Sequence, residues 1–86
     1  MSVTIFIADV PEFLPLVKAA RETGGCHVRD SRLGYWCIEA HAFIEFGRKE
    51  LGLIPALWNS ALSGGFIGRI VQYDRLVLRI ESEDES

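Results

Sequence analysis

The 86-residue chain is poor in sulfur, with two cysteines and one methionine. Two thiols cannot make the multi-bridge framework that staples small secreted domains. The opening residues, MSVTIFIADVPEF, contain no basic segment leading into a long apolar stretch and a small-residue cleavage site, so no secretory leader is expected. No run of 18 apolar residues occurs, which argues against a membrane-spanning helix. A cytoplasmic protein with reduced thiols is the expectation.

Signatures of common ligands are missing as well. The stretch SGGFIG at 63–68 is neither of the glycine-rich phosphate loops, follows a helical segment instead of opening one, and lacks the phosphate-binding lysine. The usual paired Cys or His spacings of zinc sites are absent. Cys37 and His41, four apart on a strand, would stand about 13 Å from each other. Zinc needs converging ligands at about 2.0–2.3 Å, so neither a metal nor a cofactor is expected.

A concentrated basic field is lacking too. Net charge is −3, and four acids (Glu81, Glu83, Asp84 and Glu85) lie in the terminal ESEDES. The first 80 residues hold eight acids against nine basic side chains, a balance of +1. A polyanion binder should show a clustered positive surface, so nucleic acid is disfavoured as a partner. Residues 1–80 read as one domain, and 81–86 as an acidic, disordered tail.

What is present is core-forming material, with 49% of residues hydrophobic. Val3–Ala8 is a β-branched and aromatic run suited to a central strand. Asp9 can cap a helix that has Pro11 in its first turn and Glu12 at the third position. Phe13, Leu16, Val17 and Ala20 then share one stripe, and Gly24-Gly25 stops the helix. After a turn at 31–34, residues 35–46 alternate with period two. Trp36, Ile38, Ala40, Ala42, Ile44 and Phe46 fall on one side, with a bend expected near Ala40–Ala42. A second helical stripe, Ile54, Leu57, Trp58, Ala61 and Leu62, begins near Pro55 and ends at Gly64-Gly65. Residues 66–73 and 75–80 close the pattern as one interrupted strand or a hairpin. The order β-α-β-β-α-β predicts an α+β, two-layer sandwich on the split β-α-β (ferredoxin-like) plan, with a mostly antiparallel sheet and two helices on one face.

Both cysteines and both histidines lie within CHVRDSRLGYWCIEAH at 26–41. A three-residue loop at 32–34 pairs Arg29 with Cys37 and His27 with Glu39, placing His27, Cys37, Glu39 and His41 on one face. A four-residue loop pairs Cys26 with Glu39 and turns His27 away. One residue of slip therefore changes which nucleophile is on the face. A Cys/His/Glu enzyme site is the alternative reading, although no oxyanion hole is visible. Single-stranded nucleic acid on an open sheet face is another, with Tyr35, Phe43 and Phe6 as stacking platforms and Arg29, Arg69 and Arg79 nearby. The leading expectation is a non-enzymatic interaction or regulatory module. A chain this small gains from a partner surface, so a homodimer, pairing through its open sheet face or an edge strand, or a protein partner is expected. Tyr35, Trp36, Phe43 and Trp58 are the candidate anchors, above all whichever pair lies away from the core.

Overall fold

The structure, a computed structural model, describes residues 2–23 and 25–83. Strand β1 (Val3–Ala8) buries Val3, Ile5 and Ile7 completely, as its alternating β-branched residues dictate. The chain then enters helix α1 (Leu14–Glu22) through a single 3-10 turn at Pro11–Phe13. The expected cap at Asp9 does not form. Val10 holds the cap position before the 3-10 turn, and no side chain bonds there. Pro15 falls in the first turn of α1, where its missing N–H is harmless. The predicted stripe of Phe13, Leu16, Val17 and Ala20 is buried. Thr23 ends the helix, and Gly24 lies outside the described residues.

Strands β2 (Cys26–Arg32) and β3 (Tyr35–Ala40) form a hairpin. Its loop has two residues, Leu33 and Gly34, both at positive φ (54° and 86°). That is the mirror-image turn whose twist suits a hairpin. A bulge between Arg29 and Arg32 adds one residue to β2, so the pairing beyond it is Arg29 with Cys37 and His27 with Glu39. A two-residue loop plus one bulged residue thus gives the register expected of a three-residue loop. The long alternating run splits at 41–42 into β3 and β4 (Phe43–Gly47). Helices α2 (Arg48–Leu51) and α3 (Pro55–Asn59) are short. Of the second predicted stripe, Trp58 and Ala61 are buried while Ile54 is exposed. Strands β5 (Phe66–Ile67), β6 (Arg69–Tyr73) and β7 (Val77–Glu81) complete the chain.

The mixed α+β composition agrees with expectation, but the single sheet of the split β-α-β plan does not appear. The strands divide into a sheet ordered β2-β3-β1-β5 and another ordered β4-β7-β6. Every pairing among the described residues is antiparallel. The cause is two corners: β3 leads into β4 at 41–42, and β5 leads into β6 at Gly68. Each corner carries the chain from the first sheet to the second. Ile5, Ile7 and Ile38 of the first sheet, Ile44, Leu78 and Ile80 of the second, Leu16 of α1 and Trp58 of α3 make the fully buried core.

The expected boundary at residue 80 shifts a little. Glu81 belongs to β7, and the buried Ser82 donates its N–H to the Ala42 carbonyl at 3.0 Å. Residues 84–86 of the acidic tail lie outside the described residues.

The β6–β7 turn is organised by Asp74. Its carboxylate accepts the Gln72 amide at 2.9 Å and the N–H groups of Leu76 and Val77 at 2.9 and 2.8 Å. Those bonds, the Gln72 amide foremost, hold its pKa below the ordinary carboxylate value. A lowered native pKa means stability that is present above the unfolded value and lost as pH falls through the native one. Asp74→Asn keeps an oxygen acceptor for the turn but does not titrate. Its urea midpoint should vary less with pH across the acid range than that of the wild type. Equal acid slopes for the two proteins would refute this role for Asp74.

Candidate functional site

The hairpin places its reactive side chains on two sides. Cys26, opposite Ala40, packs against the core beside Val28. His27, Cys37 and Glu39 share the outer face, with Cys37 half-buried and His27 exposed. His41 lies beyond the end of β3, in the bend, and is exposed. The four-membered face expected from the sequence therefore keeps three members and loses His41 to the corner. Glu39 is engaged by Arg29 at 3.1 Å. Burial pushes both thiols above their ordinary pKa, and at Cys37 the Glu39 carboxylate adds to this while Arg29 opposes it. A nucleophilic cysteine needs the reverse, an electropositive setting that stabilises thiolate. Among the described residues no group of three or more His, Cys, Asp and Glu side chains could hold a metal ion.

Next to Cys37 the outer face forms a groove of about 870 Å³, lined by Phe6, Val28, Arg29, Leu33, Tyr35 and Cys37. Gly64 closes one side. A Cβ there would strike the Phe6 carbonyl oxygen and stand 2.8 Å from the Tyr35 ring. The segment after α3 thus crosses this face at backbone contact distance, which only glycine permits.

The four candidate anchors have different fates. Trp58 is 0% exposed, so it presents nothing to a partner. Its indole N–H reaches the Asp74 carbonyl at 2.6 Å, which allows the entire ring to enter the core with its donor satisfied. Trp36 is half-buried, donates to the Asp9 carboxylate at 3.1 Å, and has the Arg21 guanidinium 5.1 Å from its ring. Tyr35 and Phe43 are exposed. They lie on different sheets, as do Phe6 and Phe43, so the expected stacking platforms do not share one face. The cations near them are engaged. Arg79 stands 4.1 Å from the Phe43 ring centre and bonds Glu45 and Glu81, both at 2.8 Å. Paired cations contribute little field for a phosphate backbone.

The least expected feature is the segment FIGRIVQY at 66–73. It forms the end of both sheets, with β5 last in one order and β6 last in the other. Phe66, Ile67, Ile70, Val71 and Tyr73 are all exposed, and every residue of β6 is exposed. Ile70 and Tyr73 oppose Ile80 and Leu78, which are 0% exposed, so the apolar layer of the second sheet reaches its edge only partly covered. Natural edges usually carry lysine, proline or inward charges. Here the blunting device is a bulge between Ile70 and Gln72. The sequence signs are the adjacent pairs Phe66-Ile67 and Ile70-Val71, which break the alternation.

No protein-family model matches the chain, and no curated protein aligns with it. Among the described residues no helix is long and apolar enough to cross a membrane.

Proposed function

We propose that this protein is a small interaction module that works by self-association through the edge formed by β5 and β6. The observation that carries this reading is the coincidence of two properties in 66–73. The segment ends both sheets, and its large apolar side chains face solvent. An exposed edge strand offers unpaired backbone donors and acceptors, and its side chains supply apolar area on top of them. A contiguous apolar strip of this kind is costly to leave in water and commonly marks an interaction surface. Catalysis has less support, because both thiols are pushed toward the protonated form and the Glu39 carboxylate is engaged by Arg29.

Light scattering on the wild type at micromolar concentration should give twice the 9.6 kDa chain mass. Val71→Lys puts a charge on the free edge without touching the buried layer and should return the mass to a single chain. Far-ultraviolet circular dichroism and the urea midpoint should stay near the wild type, since Val71 is exposed. A wild type that remains monomeric would remove the proposal.

A further inference from the structure

We propose that the occupant of this edge is a second copy of the chain, with the two β6 strands running antiparallel about a two-fold axis between Val71 and Gln72. This rests on the self-association reading above and specifies its geometry. The two sheets would merge into one six-stranded sheet in the order β4-β7-β6-β6-β7-β4.

Charge selects this arrangement. The strand begins at Arg69, and Asp74 follows its last residue. Antiparallel pairing brings the start of one strand to the end of the other, so Arg69 meets the partner's Asp74 within reach of a long side chain. Parallel pairing would set Arg69 beside the partner's Arg69, which is repulsive. Arg69 is also the less committed cation of its neighbourhood. It stands 3.7 Å from Glu81, whose carboxylate Arg79 already holds at 2.8 Å. Asp74 is kept ionised by the bonds that organise its turn.

The apolar layer points to the same occupant. Ile70 and Tyr73, 37% and 36% exposed, are the partly covered end of the layer that contains Ile80 and Leu78. A second copy brings an identical partly covered end, so the layer would continue across the axis and each copy would cover the other. Two-fold contacts are self-complementary in this sense, since one patch serves both sides. An unrelated partner would need to carry the same charge order and the same apolar layer independently.

The test combines scattering with two kinds of variant. Arg69→Asp should weaken the dimer on the order of tenfold, because each symmetric contact then opposes two carboxylates. Adding Asp74→Asn removes the opposing charge and should recover most of that loss. A mixture of Val71→Cys and Gln72→Cys chains should form an inter-chain disulfide between the two variants under mild oxidation, because residues facing each other across antiparallel strands have Cβ atoms about 4.5–5.5 Å apart. Leu33→Cys, 99% exposed at the hairpin tip, should not. A wild-type dimer that ignores Arg69→Asp, with cysteines at 71 and 72 cross-linking no better than one at 33, would overturn the strand pairing while leaving self-association standing. A monomeric wild type would overturn both.

Discussion

Trp58→Ala is expected to remove about 3–5 kcal/mol of stability, the usual cost of truncating a large buried aromatic. Trp58 is the largest of the fully buried side chains. Trp58 also links α3 to β6 and its turn in two directions, once through the indole and once through its backbone carbonyl. The N–H donates to the Asp74 carbonyl at 2.6 Å, and the Trp58 carbonyl accepts the Tyr73 hydroxyl at 2.6 Å. The Tyr73 ring meets it edge-on, with centroids 6.0 Å apart and planes inclined by 61°. Truncation would leave a cavity and also the Asp74 carbonyl without that donor, while the Tyr73 hydroxyl keeps its backbone acceptor. A domain of this length holds on the order of 4–13 kcal/mol in total, so the variant should sit near the edge of folding. Trp58→Phe fills most of the volume and loses chiefly the hydrogen bond, at a cost of about 1–3 kcal/mol. Urea titration followed by circular dichroism separates them: the expected order of midpoints is wild type, then Phe, then Ala. An Ala variant within about 1 kcal/mol of the wild type, far below the range for a buried aromatic, would mean that the ring is not in the core.

Gly68→Ala is the second large effect. Gly68 sits at φ +141°, a conformation that side-chain-bearing residues rarely adopt. A Cβ there would lie 2.8 Å from Ile80 Cγ2, 2.9 Å from the Glu81 carbonyl oxygen and 3.3 Å from Val3 Cγ1. Val3 belongs to the first sheet and Ile80 to the second, so a methyl group would wedge apart the seam between them. Backbone strain costs about 1–3 kcal/mol, and overpacking costs about 1–3 kcal/mol more. Gly25 has nothing within 4 Å of its would-be Cβ. Gly25→Ala should therefore unfold at nearly the wild-type urea concentration, while Gly68→Ala unfolds well below it. Similar midpoints for the two variants would show that the corner tolerates a side chain.

The contrast between these glycines shows what the sequence could and could not disclose. Local signals were legible. The β-branched run of β1, the stripe on α1 and the alternation at Ile38, Ala40, Ile44 and Phe46 each state their buried side within a few residues, while Ala42, expected on that side, is exposed in the corner. Gly34 announced a turn, and the bend after Ala40 was marked by small side chains. Facts that depend on a neighbour from elsewhere in the chain were hidden. Apolar strand residues look destined for burial, yet Phe66, Ile67, Ile70, Val71 and Tyr73 are exposed because, among the described residues, no further strand joins that side of either sheet. Trp58 could as well have been an interface anchor as a core residue, and the Asp74 carbonyl decided it. The bulge in β2 restored a register that the turn alone would have displaced. At the candidate site, His41 left the shared face because the corner at 41–42 falls just before it would have joined.

The pairing of β1 also has a consequence in time. Thr4 and Ile5 take Ile67 and Phe66 as partners on one side, residues far along the chain. At about 5–20 residues per second of synthesis, roughly 3–12 s separate the appearance of the first strand from that of its last neighbour. Throughout that interval VTIFIA is an apolar strand with one flank open. Open apolar strand edges are the surfaces through which incompletely folded chains associate. The two-residue strand at 66–67 is short, but its arrival ends that exposure.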